Sequence, residues 1–450
     1  MKSLIYFVTS HLSWVGGILL AGVALWKISQ RKSHEKVAKK LVDKALASNM
    51  NEPLTLHPEI DPALCLGCGA CTKVCPEGDI LKLVNHKAVL VSPTKCVGHG
   101  ECEKACPFDA ISLVFGTKTR GMDIPRLNSN YETNVPGLYI AGELGGMGLI
   151  RNAVKQGVLA AEDALKGNAS GSGTAVDADI LIVGAGPAGL AAGITAVARG
   201  RKYILIEQNS LGGTVANFPR QKVVMSYPLD FPVVGRMRFS SNKISKEELL
   251  GAWQDAVLKT RLKINENEKF ETLDRQGDIF QVKTSKGSYK VRKIILAMGV
   301  RGSPRRLGLP NEDLPKVTYN LLDPEQYQRK AVAVVGGGNA GVEAAQYLSK
   351  RKYGNKVTLL VRGPDFDRCN DENRQIINDM RGKGMLEIWF NSSVKEIHTD
   401  SLVVTRDGID VTIPNQYLFI FAGAEMPHKF LMSLGVGIDK KFGDPLKKTS

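Results

Sequence analysis

The stretch Asp179-Ile180-Leu181-Ile182-Val183-Gly184-Ala185-Gly186-Pro187-Ala188-Gly189 decides the fold class. An apolar strand runs straight into a Gly-x-Gly-x-x-Gly turn, and a long alanine-rich helix follows. Tyr203 to Ile206 then reads as a second strand ending at Glu207, 18 residues after Gly189. Glycines let the backbone approach a pyrophosphate at the helix amino terminus, and a carboxylate about 20 residues on is placed to accept from ribose hydroxyls. A lone glycine triplet says little, but strand, triplet, helix, strand and acid in this order predict a dinucleotide site.

A second unit of this kind lies downstream. Ala331 to Val335 leads through Gly336-x-Gly338-x-x-Gly341 into a helix containing Glu343, then to a strand from Val357 to Val361. This strand is followed by Arg362, with Arg368 nearby, and no acid stands near the ribose-reading place until Asp365. A guanidinium suits a 2′-phosphate that a carboxylate would repel, so NADPH is expected in preference to NADH. The plain alternative for both arginines is surface charge at a strand end.

Of eight cysteines, seven fall between Cys65 and Cys106 and Cys369 stands alone. So odd and clustered a set suits metal ligation in a reducing compartment better than a disulfide framework. Cys65-x2-Cys68-x2-Cys71-x3-Cys75-Pro76 winds the backbone so that three sulfurs converge on one cubane and the fourth is directed away. A second run, Cys96 then Cys102-x3-Cys106-Pro107, has His99 where its second cysteine belongs. Doubled runs ending in Cys-Pro fit iron-sulfur far better than the paired spacing usual for zinc.

This segment resembles the bacterial two-cluster ferredoxins over roughly 50 residues. In that family the fourth cysteine of each run ligates the other cluster, so the resemblance implies one cluster on Cys65, Cys68, Cys71 and Cys106. The other would sit on Cys75, Cys96 and Cys102, with three readings of His99 open: a fourth ligand, a bystander beside a three-iron cluster, or a solvent-facing side chain in the Gly98-His99-Gly100 turn. As a ligand, neutral imidazole in place of anionic thiolate makes a cluster easier to reduce. The first cluster is expected to be 4Fe-4S and the second 4Fe-4S or 3Fe-4S.

The two glycine units, with Leu211-Gly212-Gly213-Thr214 after the first acid and Ile295-Leu296-Ala297-Met298-Gly299 before the second unit, resemble the thioredoxin-reductase-like flavoproteins over most of residues 177 to 430. The resemblance implies FAD at the first unit, through Gly184, Gly186, Gly189, Glu207, Gly213 and Thr214. It implies NADPH at the second, through Gly336, Gly338, Gly341, Arg362 and Arg368. Two departures matter. Where that family carries a redox-active Cys-x-x-Cys, this chain has Asn320 and Asp323; disulfide exchange requires a thiolate, so reduction of thioredoxin is not expected. The family's closing segment is also displaced. It matches Thr133-Asn134-Val135-Pro136-Gly137-Leu138-Tyr139-Ile140-Ala141-Gly142-Glu143 and a helix from about Leu149 to Leu165, upstream of the first glycine unit. A circularly permuted FAD domain is therefore expected, with Gly142 and Glu143 at the flavin and Glu143 in the usual aspartate place.

At 450 residues the chain is too long for one core, and 46 glycines with 6% aromatic residues describe an α/β protein rich in turns. From Leu4 to Trp26 there are 23 mostly apolar residues without Asp, Glu, Lys or Arg, enough to span a bilayer. Lys27, Arg31, Lys32, Lys36, Lys39 and Lys40 follow, which places the body in the cytoplasm. A cleaved secretory signal is the alternative, but the apolar run exceeds the usual length. Net charge is +15, spread along the chain in runs that lack interleaved aromatics, so nucleic acid is not an expected partner.

The expected fold is α/β, with two Rossmann-like dinucleotide-binding domains, a small α+β dicluster ferredoxin domain and an N-terminal transmembrane helix. The division reads 1–27 anchor, 28–57 basic linker, 58–115 ferredoxin, 116–166 permuted closing segment, 167–176 Gly/Ser linker, 177–319 FAD domain, 320–422 NADPH domain and 423–450 return to the FAD domain. The expected function is a single-pass membrane oxidoreductase that passes electrons between NADPH, FAD and two clusters to or from an unidentified electron-transfer partner. Membrane lipid is a further partner through the helix, and a homodimer is among the assemblies the sequence allows. The rivals are a flavin-site reductase of a small substrate such as a low-molecular-weight disulfide, a feeder subunit like the small subunit of glutamate synthase, and a non-catalytic redox sensor.

Overall fold

The computed structural model describes the chain except residues 1, 48–51, 54–55, 168–175, 226–228, 240, 242, 301–303, 367–368, 424–426 and 446–450, and except the side chains of residues 2–20, 44, 225 and 243. It divides into two compact units, Met1–Val114 and Phe115–Ser450.

The first unit opens with helix α1 (Lys2–Ala47). Within the stretch 28–57 read as a basic linker, the helix continues through Ala47. Lys and Ala are the commonest residues over 28–47 and favour helix, and Glu35 pairs with Lys39 one turn on at 3.2 Å. The transmembrane helix expected over Leu4–Trp26 falls largely on residues 2–20, whose side chains lie outside those described. Among the described residues no helix is long and apolar enough to cross a membrane. The physical reason is that the described part of α1 turns basic from Lys27 onward.

Beyond α1, strand β1 (His57–Ile60) pairs antiparallel with the last strand of the unit, and β2 (Leu81–Val84) and β3 (Lys87–Leu90) form a hairpin. Its turn residues Asn85 and His86 both take positive φ, 50° and 61°, as a tight hairpin requires. The Asn85 N–H donates to Glu35 Oε1 at 3.0 Å, which ties the hairpin to α1. A short helix, α2 (Glu101–Lys104), and β4 (Ile111–Phe115) complete the unit. Its core gathers Cys65, Cys71, Leu81, Ala88, Ala110 and Ile111.

The second unit runs β5 (Met122–Pro125), β6 (Leu138–Ile140), α3 (Ile150–Ala164), β7 (Ala178–Val183), α4 (Pro187–Ala198) and β8 (Tyr203–Ile206). Two short antiparallel pairs follow, β9 (Val223–Met225) with β12 (Lys243–Ser245) and β10 (Leu229–Phe231) with β11 (Gly235–Met237), then α5 (Lys246–Thr260) and the meander β13 (Phe270–Gln276), β14 (Ile279–Thr284), β15 (Gly287–Leu296). Strands β8, β7 and the second half of β15 lie parallel, and β6 takes the place beyond β15, with Leu138 opposite Ile294 and Ile140 opposite Leu296. The first half of β15 pairs instead with β14. Ile180, Leu181 and Ile182 are all fully buried, as befits parallel strands covered on both faces.

The rest builds a second parallel sheet from β16 (Val317–Thr318), β17 (Ala331–Val335), β18 (Lys356–Leu360), β19 (Glu387–Trp389) and a strand late in the chain, flanked by α6 (Asn339–Leu348) and α7 (Asp371–Gly382). An antiparallel meander, β20 (Ser392–Ile397), β21 (Ser401–Arg406) and β22 (Ile409–Pro414), precedes that strand, β23 (Tyr417–Ile420), which lies between β16 and β17. The chain then returns to the first sheet. Helix α8 (His428–Ser433) puts Leu431 into one core with Leu138 and Ile294, and β24 (Ile438–Lys441) pairs with β5.

Candidate functional site

A cavity of about 480 Å³ opens where β6, β7, β8 and β15 end. Gly142, Glu143, Gly184, Gly186, Glu207, Gly213 and Thr214 all line it, so seven of the eight residues read from the sequence for this site are brought together. Gly189, the eighth, lies beneath: a Cβ there would stand 1.7 Å from the Gly184 carbonyl oxygen. Gly184 itself holds φ of 105°, and a Cβ on it would stand 2.6 Å from the Ala297 oxygen. At Gly186 an added Cβ meets nothing within 4 Å, so the middle glycine faces open space at the amino end of α4. That is the arrangement a pyrophosphate needs, with two glycines for close packing and one for approach.

Glu207 is 5% exposed. Its Oε2 accepts the Ala185 N–H at 2.7 Å and its Oε1 the Asn209 N–H at 3.0 Å. A carboxylate offers about four acceptor sites, so two backbone bonds leave capacity for ribose hydroxyls. Across the cavity the Gly142 N–H donates to Gln156 Oε1 at 2.6 Å. Helix α3 then packs tightly on α4, since a Cβ on Gly157 would stand 2.1 Å from the Ala188 oxygen. Leu149, Ile150 and Ala153 bring the positive end of α3 to the cavity wall. Sequence reasoning misses Glu268, which lines the same cavity at 2% exposure and accepts from Thr284 Oγ1 at 2.6 Å and the Tyr289 hydroxyl at 2.9 Å. Its sequence context, Asn265-Glu266-Asn267-Glu268-Lys269, looks like an exposed loop, and only the pairing of β13, β14 and β15 buries it. The residues present fit a dinucleotide.

The second glycine turn repeats the construction. A Cβ on Gly336 would stand 2.4 Å from the Phe421 oxygen, one on Gly341 2.3 Å from the Gly336 oxygen, and Gly338 caps α6. Arg362 follows β18 and is exposed. Arg368 lies outside the described residues. The nearby acid, Asp365, is engaged by Arg374, which offsets its charge beside the ribose place.

In the first unit the cysteines separate into two cavities. Cys65, Cys68, Cys71 and Cys106 line one, with Leu83 and Phe108; Cys75, Cys96, Cys102 and His99 line the other, with Pro58 and Leu81. Backbone N–H groups point at sulfur, from Ala88 to Cys65 and from Ala110 to Cys106, each at 3.4 Å. Burial pushes the thiols of Cys71, Cys96 and Cys102 up to about 11, and at Cys71 neighbouring cysteines add to it. Among the described residues no three or more His, Cys, Asp or Glu converge as one metal ion would require. Each set gathers the residues that the sequence assigned to one cluster. The His99 side chain is 10% exposed, and its Nε2 stands 3.7 Å from Glu77 Oε1.

Residues 181–448, more than half of the chain, match the family described as pyridine nucleotide-disulphide oxidoreductase. The chain belongs to that family. Residues 57–107 match the 4Fe-4S dicluster domain. Among its relatives is the bacilliredoxin reductase of Bacillus subtilis (strain 168), 30% identical over 273 residues, 59% of this chain and 82% of that protein. Another is a ferredoxin–NADP reductase of Ignicoccus hospitalis, 32% identical over 271 residues, 58% of this chain and 83% of that protein. Of solved structures, the bacillithiol disulfide reductase from Bacillus cereus is 29% identical with a TM-score of 0.54, covering 60% of this chain and 85% of that one. The protein is thus an NAD(P)H-dependent flavin oxidoreductase carrying an iron-sulfur domain.

For a pyridine nucleotide-disulphide oxidoreductase it is short of thiols. Asn320 is exposed, and Asp323 accepts from the Glu325 N–H at 2.9 Å and stands 3.6 Å from Arg220. Cys369, the one cysteine outside the cluster runs, is fully buried, and burial with nearby Glu343 pushes its thiol up to about 12. Neither place can exchange with a disulfide.

Proposed function

We propose that this protein carries electrons between NADPH and a membrane-associated acceptor by way of FAD and two iron-sulfur clusters. One observation carries the reading: a pyridine nucleotide-disulphide oxidoreductase domain with Asn320 and Asp323 in the dithiol place shares its chain with a domain whose cysteines sort into two sets. Reduced flavin without a dithiol needs another outlet, and the clusters supply one.

FAD would be held by Gly184, Gly186, Gly189, Glu207, Gly213, Thr214, Gly142 and Glu143, and NADPH by Gly336, Gly338, Gly341 and Arg362. Bound flavin supplies the exchange between a hydride, which is two electrons, and the single electrons that clusters accept. The chain's own residues orient and exclude. Glu207 fixes the glycine turn through Ala185, the α3 amino terminus presents positive charge, and Phe430, Met298 and Val300 give the cavity an apolar lining. Hydride transfer itself needs no general acid or base. Support for a permuted FAD domain comes from β6, which precedes β7 yet pairs beyond β15, and from Gly142 and Glu143 sharing a cavity with Gly186 and Glu207. Membrane anchoring rests on the sequence, on the apolar run Leu4–Trp26 and the basic residues after it, which also favour a cytoplasmic body.

A second reading, a flavin-site reductase of a low-molecular-weight disulfide with the clusters as electron inlet, is favoured by the likeness to a bacillithiol disulfide reductase. Anaerobic stopped-flow separates the two. Under the leading reading NADPH bleaches the flavin and then the clusters within the turnover time of an added one-electron acceptor. Flavin bleaching with clusters left oxidised would count against the leading reading, and turnover of a small disulfide driven by pre-reduced clusters would select the second.

A further inference from the structure

We propose that His99 is the fourth protein ligand of the second iron-sulfur cluster, and that Glu77 holds its imidazole from behind. A solvent-facing histidine is hard to reconcile with a side chain 10% exposed that lines one cavity with Cys75, Cys96 and Cys102. The backbone directs it there. Gly98 and Gly100 on either side take φ of 75° and 79°, and a Cβ on Gly98 would stand 2.6 Å from the Leu56 oxygen. The turn is therefore pressed against the body of the unit.

A bystander beside a three-iron cluster needs no particular neighbour. His99 has one that metal-bound histidines characteristically have. Ligating imidazoles usually give their other ring N–H to a carboxylate, which fixes ring and tautomer, and Glu77 Oε1 faces Nε2 at 3.7 Å. That is an ion-pair distance rather than a hydrogen bond. Glu77 lies two residues after Cys75, so ligand and carboxylate belong to one loop.

Neutral imidazole in place of thiolate leaves this cluster one negative charge lighter than its four-cysteine companion, so it is the easier of the two to reduce. The inference rests on the dicluster domain and not on the flavin route. Its test is pulsed EPR of full-length protein reduced with dithionite, which bypasses NADPH and FAD, with iron content and cluster potentials on the same samples. The expected result is nitrogen coupling to one reduced four-iron cluster. His99→Cys should abolish the coupling and lower that cluster's potential, and His99→Ala, read before dithionite is added, should yield an oxidised three-iron signal. Glu77→Gln should keep iron content and nitrogen coupling while raising the potential. Wild-type protein with both clusters reduced and no nitrogen coupling overturns the proposal, as does a potential that His99→Cys leaves unmoved; the cysteine variant serves even if His99→Ala does not fold. An unmoved potential in Glu77→Gln overturns the role of Glu77 alone. Clusters that dithionite reduces and NADPH does not count against the electron route and leave this ligand assignment standing.

Discussion

The Glu207 carboxylate accepts the backbone N–H of Ala185 at 2.7 Å, joining the end of β8 to the glycine turn after β7. The acid read as a ribose acceptor thus also holds the phosphate turn in shape. Replacing it with alanine strands the buried N–H of Ala185, at about 1–3 kcal/mol, and releases the N–H of the exposed Asn209, which water can satisfy. Glu207→Ala should therefore purify largely without FAD, with affinity down at least about tenfold for the loss of one such bond. Titration of apoprotein with FAD checks this, and wild-type affinity would remove Glu207 from the site.

The three glycines of the first turn should separate fold from binding. Gly186→Ala adds a methyl that meets nothing in the protein, so stability should stay within about 0.5 kcal/mol while FAD affinity falls. Gly189→Ala drives a methyl into the Gly184 oxygen, so helix and strand must part and unfolding should become easier by roughly 1–3 kcal/mol. Denaturant midpoints alongside flavin content distinguish the two. Equal stability losses in both variants would contradict the geometry.

Arg362 is exposed at the end of β18, and Asp365 beside it is engaged by Arg374. A guanidinium on a 2′-phosphate contributes roughly 1.5–3 kcal/mol as a charge-assisted hydrogen bond. Arg362→Ala should reduce kcat/KM for NADPH about tenfold or more and leave NADH nearly untouched. An equal effect on both nucleotides would assign Arg362 a role other than reading the phosphate.

Burial holds the Cys369 thiol neutral, raising it from an ordinary 9.0 to about 12. The sign for stability follows. The unfolded thiol ionises above about 9 while the folded one keeps its proton, so this group's contribution is intact below 9 and is lost as pH rises toward 12. Native protein should therefore resist alkylation at Cys369 at neutral pH, and Cys369→Ser should turn over NADPH as wild type does. Rapid native labelling at this cysteine would reopen a thiol route.

Chelator-free substitution can assign the cysteine sets. Cys71→Ser should remove the EPR signal of one cluster and Cys102→Ser that of the other, because the two side chains line different cavities. FAD content should stay constant in both. Loss of the same signal from both variants would merge the sets.

Both glycine turns and both cysteine runs are legible in the sequence because their chemistry demands particular residues at fixed spacing. Glu207 belongs with them, since it follows its glycines at a distance set by one helix and one strand. Glu268 is not legible. It is buried by strands that pair after it in the chain, and local composition there reads as loop. The reach of α1 through Ala47 is missed for a related reason: a basic stretch reads as solvated linker, although Lys, Glu and Ala are good helix formers and the Glu35 contact to Asn85 anchors them. His99 is visible as a departure from a pattern, but its burial and its neighbour Glu77 emerge only when two loops fold together.

The place of β6 has a consequence for how the protein is made. Leu138 finds its partner at Ile294, 156 residues further along the chain. At translation rates of about 5–20 residues per second, roughly 8–30 s pass between the synthesis of the two. The whole cysteine-bearing unit, which ends at Val114, is synthesised before that interval starts. The order of the strands thus fixes an order of synthesis: the cysteine-bearing unit is made first, and the strand β15 that β6 needs as its neighbour is made well after it.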